Sequence, residues 1–181
     1  EGHGSVDGAR PRRPEMHVLR PDRDGSLAGA LRQSEAGDDG TEDHGYAAFM
    51  ATIDVLVLGR ITYDQVLGFG EWPFTGKSVV VLTHRPLTPT HGERAHAGAL
   101  APLLAELAAN GCRRVYLDGG VAVRTGLAED VVDDLTLSTV PVLLGRGVPL
   151  FGPDVPRRDF SPAATHLFST GLVQTRYDRQ R

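Results

Sequence analysis

The stretch "RRVYLDGGVAVRTGL" (residues 113–127) decides the fold. It reads as an apolar strand, two glycines and then a helix. Glycine favours neither element, so the corner at Gly119-Gly120 asks for bare backbone. The same order repeats around it. "DVLVLG" (54–59) is a continuous apolar run, as in a strand covered on both faces, and "RITYDQVL" (60–67) follows as a helix. "SVVVLT" (78–83) is a second buried strand. "LAPLLAELAANG" (100–111) is an amphipathic helix with Gly111 at its C′ position. Upstream, "EDHGYAAFMATID" (42–54) sets Tyr46, Phe49, Met50 and Ile53 at helical spacing. Downstream, "DDLTLSTVPVLLG" (133–145) is a long strand in which Pro141 marks a bulge or an edge. "THLFSTGLVQTRYD" (165–178) is two short alternating runs around Thr170-Gly171, a terminal hairpin. Strands alternate with helices and then give way to strands. This predicts an α/β fold with parallel pairing in the middle and antiparallel pairing at the C-terminal end.

The composition bounds the function. A chain of 181 residues with 40% hydrophobic residues is one ordinary globular domain, at most with a tail. A net charge of −4 gives no basic excess for nucleic acid or an anionic membrane. The single cysteine, Cys112, excludes an intrachain disulfide and fits a reducing cytoplasm. No apolar run approaches the roughly 20 residues that span a bilayer, and no signal-peptide core opens the chain. A cytoplasmic protein is expected. Residues 1–41, rich in Gly, Arg, Asp and Pro, read as an irregular N-terminal arm, and 42–181 as the α/β domain.

In open α/β sheets ligands sit outside the carboxyl ends of the strands. Three such corners stand out. At Asp118-Gly119-Gly120-Val121, free N–H groups at a helix start and the absence of a Cβ suit a pyrophosphate; the alternative is a tight turn with no ligand. At Gly59-Arg60-Ile61-Thr62, a cation and a hydroxyl open a helix and suit another phosphate; the alternative is a solvated Arg60 with Thr62 as a cap. At Thr83-His84-Arg85, a hydroxyl and two cationic groups suit a phosphate monoester such as the 2′-phosphate of NADP; the alternative is a polar loop before Pro86.

The spacing of "VLVLGRITYDQV", "VVVLTHR", "VYLDGG" and "DDLTLSTVPVLLGRGVPLF" resembles the dihydrofolate reductase fold family. It is most similar to the branch of the riboflavin-biosynthesis reductase domain, the RibD C-terminal domain. "FGEWPF" followed by Gly76-Lys77 shares that likeness, which covers about residues 42–178. The resemblance implies an NADPH-dependent reductase on a mixed, mainly parallel sheet flanked by helices, working as a homodimer. It places Gly59, Arg60 and Thr62 on the adenosine and phosphate side of NADPH. Thr83, His84 and Arg85 then meet the 2′-phosphate, and Asp118, Gly119, Gly120 and Val121 line the pyrophosphate corner.

Two features depart from that family. Its first strand usually leads into a Ser-x-Asp-Gly motif, and Ser5-Val6-Asp7-Gly8 fits the motif with only four residues before it. Either the strand is missing or divergent, or Asp24-Gly25 is the true counterpart. Asp7 remains a candidate on the substrate side. The carboxylate that such reductases carry before the Gly-Arg motif falls near Glu42 and Asp43. These are either the proton donor, given a raised pKa, or first-turn acids of a helix. Trp72 and Phe74 are either an aromatic wall for a flat substrate or core. "GRGVPLFG" (145–152) opens no helix and reads as a hairpin corner. No metal-binding motif occurs. Two functions follow. One is reduction of a C=N or C=O in a small pterin-, pyrimidine- or flavin-like heterocycle. The other is a non-catalytic nucleotide-binding or scaffolding protein that retains the fold.

Overall fold

A computed structural model describes residues 15–20, 43–143, 145, 149–153 and 155–181. Eight strands form one sheet: β1 (Glu15–Arg20), β2 (Val55–Gly59), β3 (Ser78–Leu82), β4 (Arg94–His96), β5 (Arg114–Asp118), β6 (Asp134–Thr139), β7 (Phe160–Leu167) and β8 (Val173–Arg179). Their order is β4-β3-β2-β5-β1-β6-β8-β7. The six strands from β4 to β6 are parallel, and β8 pairs antiparallel with both β6 and β7. The mixed sheet with a C-terminal antiparallel hairpin is the expected fold.

Alternation along the buried strands divides the core into two layers. Val55, Val57, Val115 and Leu117 face α3 (Leu100–Ala109) and α4 (Gly120–Ala128). Leu56, Leu58, Val81 and Tyr116 face the other way, onto α1 (Tyr46–Ala51) and α2 (Arg60–Val66). Strands apolar on both faces are what a sheet covered on both sides requires. Among the described residues no helix is long and apolar enough to cross a membrane.

Three expectations need correction. The stretch read as an irregular arm contains β1, which sits in the middle of the sheet: Glu15–His17 pair with β5, and His17–Arg20 with β6. The first strand is therefore present, and the sheet begins inside residues 1–41. Ser5 to Gly8 and Asp24-Gly25 lie outside the described residues. Second, β6 stops at Thr139, so Pro141 follows the strand instead of interrupting it. Proline has no N–H to offer the ladder. Third, the short edge strand β4 was not foreseen.

Candidate functional site

Because β3, β2 and β5 are adjacent and parallel, their C-terminal ends bring the three corners side by side. Gly59 pairs with Leu82, and Leu58 with Asp118. The first and third corners touch. A Cβ on Gly119 would stand 2.7 Å from Thr62 Oγ1 and 3.2 Å from the Gly59 nitrogen, and Gly119 itself has φ +104°. Gly119 is thus glycine for a reason internal to the fold. Gly120, the first residue of α4, has no positive φ. Asp118 is buried, and its Oδ1 accepts the Gly119 N–H at 2.7 Å. Thr62 is buried against Gly119 and does not cap α2. Both α2 and α4 start after a glycine with no side-chain cap. Their first-turn N–H groups, which always lack intrahelical acceptors, meet no capping side chain among the described residues. Beside the two starts, Ile61 and Val121 are exposed.

At the second corner, Thr83 is buried, and its Oγ1 accepts the Arg85 N–H at 3.0 Å. Its own N–H donates to the His96 carbonyl, which ties the corner to β4. His84 and Arg85 are exposed. One residue that the sequence reading passed over links this corner to the first. Asp64 Oδ1 accepts from Arg60 Nε at 2.7 Å, and its Oδ2 pairs with Arg85 Nη2 at 3.3 Å. Arg60 Nη1 also donates to the Pro86 carbonyl at 3.0 Å. Two guanidinium groups from two corners therefore meet on one carboxylate. The available signal was the i,i+4 spacing of Arg60 and Asp64.

The substrate-side candidates fare differently. Asp7 and Glu42 lie outside the described residues. Asp43 receives the backbone N–H of Ala47 at 2.8 Å and of Gly45 at 2.9 Å. These bonds hold its carboxyl below the ordinary range, the opposite of what a proton donor needs. The geometry makes it the acid that fastens the start of α1. Trp72 and Phe74 form no wall at the corners. Phe74 is buried, and Trp72 stacks on His91 at 4.4 Å and meets Phe74 edge-on at 5.2 Å. Lys77 Nζ donates to the Ile53 carbonyl just before β2. That fixes this segment at the edge where the parallel strands begin, opposite the corners. Burial of apolar rings accounts for both residues.

Residues 24–173 match the family model of the RibD C-terminal domain. Over 136 residues the chain is 32% identical to the uncharacterized protein YwjB of Bacillus subtilis, covering 70% of this chain and 78% of that protein. A crystal structure of a putative riboflavin biosynthesis protein from Shewanella sp. PV-4 superposes with a TM-score of 0.80 at 32% identity. It covers 93% of this chain and 99% of that one. Dihydrofolate reductase from Enterococcus faecalis, solved in complex with NADP(H), superposes with a TM-score of 0.60 at 19% identity. The cover is 93% of this chain and 98% of the enzyme, a likeness of fold.

Proposed function

This chain belongs to the RibD C-terminal domain family, and on that premise we propose that it is an NADPH-dependent reductase of a small pyrimidine- or pterin-like heterocycle. Family and fold are those of reductases. The observation that carries the reading is the contact between two glycine-led helix starts, with an Arg60–Asp64–Arg85 cluster beside them. The residues fit a dinucleotide. Uncapped first-turn N–H groups and positive helix ends favour a pyrophosphate. Paired guanidinium groups favour a phosphate monoester. Exposed Ile61 and Val121 offer apolar surface to a flat base.

The chain's own part is to bind and orient. The start of α4 at Gly120 takes the pyrophosphate. Arg60 and Arg85 hold the 2′-phosphate, while Asp64 keeps the two guanidinium groups together. When bound, the dinucleotide supplies the hydride equivalent, and the protein supplies orientation and a dry setting. Titration with NADPH, followed by an assay of its oxidation against a panel of heterocycles, tests the reading. Tight binding with turnover of a panel member is expected. Binding without turnover favours the non-catalytic alternative, and absence of binding removes the reading.

A further inference from the structure

The segment from Thr83 to Glu93 carries β3 over to its parallel neighbour β4. Such a crossover is usually a helix; this one holds neither helix nor strand. Its course is set by what it lies against, which is α2. Near its start the Pro86 carbonyl accepts from Arg60 at 3.0 Å, and Arg85 reaches Asp64 at 3.3 Å. Leu87 packs on the core layer of Tyr63 and Val66. The His91 ring stacks on Trp72, whose indole meets the Tyr63 ring edge-on at 6.3 Å.

The crossover ends on a buried carboxylate. Glu93 is only 4% exposed, and its Oε2 accepts the N–H groups of Thr90 and His91, both at 2.9 Å. A neutral Asn or Ser closes such a turn as well, without the cost of burying an ion. The second oxygen shows what the longer, charged side chain adds. Glu93 Oε1 and the Tyr63 hydroxyl are both shut off from solvent, and neither has a hydrogen bond of ordinary geometry among the described residues. The two groups still act on each other. Burial raises the Tyr63 pKa, the charge of Glu93 raises it further, and the charge of Arg60 opposes both. The hydroxyl thus lies in the fields of the crossover's carboxylate and of the first guanidinium group of the cluster.

Arg60 and Asp64 ride on α2, and Arg85 rides on the crossover. The ion pair that joins them, Arg85 to Asp64, is largely exposed and worth little. The buried contacts of Tyr63 and Glu93 are what hold the two pieces in register. We propose that Glu93 and Tyr63 are positioning residues for the 2′-phosphate corner: they dock the crossover on α2, keep Arg85 beside Arg60, and so set a preference for NADPH over NADH. This rests on the proposed reductase reading and deepens it by two residues buried away from solvent.

The test measures the affinities of the full chain for NADPH and NADH. NADPH affinity should fall about fivefold in Glu93→Ala and in Tyr63→Phe, with NADH affinity within about twofold of the wild type. Glu93→Gln keeps an oxygen for both N–H groups and a polar atom toward Tyr63, so it should hold the preference within about twofold. In an Arg85→Ala background neither Glu93→Ala nor Tyr63→Phe should reduce the preference further, because the docking acts through Arg85. Should Glu93→Ala fail to fold, Tyr63→Phe, which keeps its packed ring, decides. Equal losses of both cofactors, a preference unchanged in the variants, or a loss that persists without Arg85 overturns the inference while the reductase reading stands. A wild type that binds neither cofactor, or both alike, removes the reading of the corner and this inference with it.

Discussion

Gly119 and Gly120 are neighbours held as glycine by different constraints. At Gly119 a side chain meets Thr62 and the Gly59 backbone, at a φ that L residues avoid. Gly119→Ala should lower the ligand-free melt by the equivalent of about 2 kcal/mol. At Gly120 the backbone is already helical, so Gly120→Ala should melt at or above the wild type. On the proposed reading, NADPH binding to that variant should weaken by about tenfold, because the new methyl would stand in the path of the pyrophosphate. Calorimetry with and without ligand separates the two glycines. Arg85 makes a largely exposed ion pair, worth little to stability. Arg85→Ala should leave the melt unchanged, weaken NADPH and spare NADH; equal losses for both cofactors would remove its role. The demand for bare backbone was legible in the doublet itself. That part of the demand comes from Thr62 was not, because it needs a partner corner that is distant in the chain. Asp64 was overlooked for the same reason: its second arginine comes from another loop.

Among the elements, the C-terminal strand shows a pH-dependent fastening. Asp130, at φ +56° after α4, holds Arg179 at the end of β8 at 2.9 Å and Arg158 ahead of β7 at 3.2 Å. The hydrogen bond from Arg179 lowers the Asp130 pKa from its ordinary value. A carboxylate whose folded pKa is depressed stabilises above its unfolded pKa, and this contribution fades as pH falls through the folded one. Asp130→Asn should melt below the wild type at pH 7, and the gap should close below about pH 4. The gap should also narrow in high salt, since the carboxylate is half exposed. A gap independent of pH would mean that the clasp works by shape alone. The hairpin that this clasp secures was readable from its turn residues. Helix α1 starts at Tyr46, where its apolar spacing starts, and came out shorter at the other end: it stops at Ala51 and leaves Ile53 beyond its C-cap, Thr52. Strand β4, "RAH", has no period to read; its pairing with β3 alone makes it a strand.

The whole molecule turns on β1. Its sequence, "EMHVLR", mixes charged and apolar residues and sits amid Gly, Pro and Arg, so nothing local marks it as central. It is a strand because β5 and β6 flank it on both sides, a property of the assembled sheet. Residues 15–20 should therefore resist hydrogen exchange as strongly as 114–118. Deleting residues 1–20 should abolish the cooperative melt, since it parts β4-β3-β2-β5 from β6-β8-β7. A truncated chain that still melts sharply would show that the two halves rejoin without it. The same placement sets a timetable for biosynthesis. β1 leaves the ribosome well before the strands that sandwich it, which emerge only with residues 114–118 and 134–139. Such distant pairing slows folding, and an unpaired strand edge invites other chains. The nascent polypeptide is thus most exposed to aggregation over the long interval before residue 134 is made. A chaperone that shields residues 15–20 as they emerge should raise the yield of folded protein more than one acting on the finished chain.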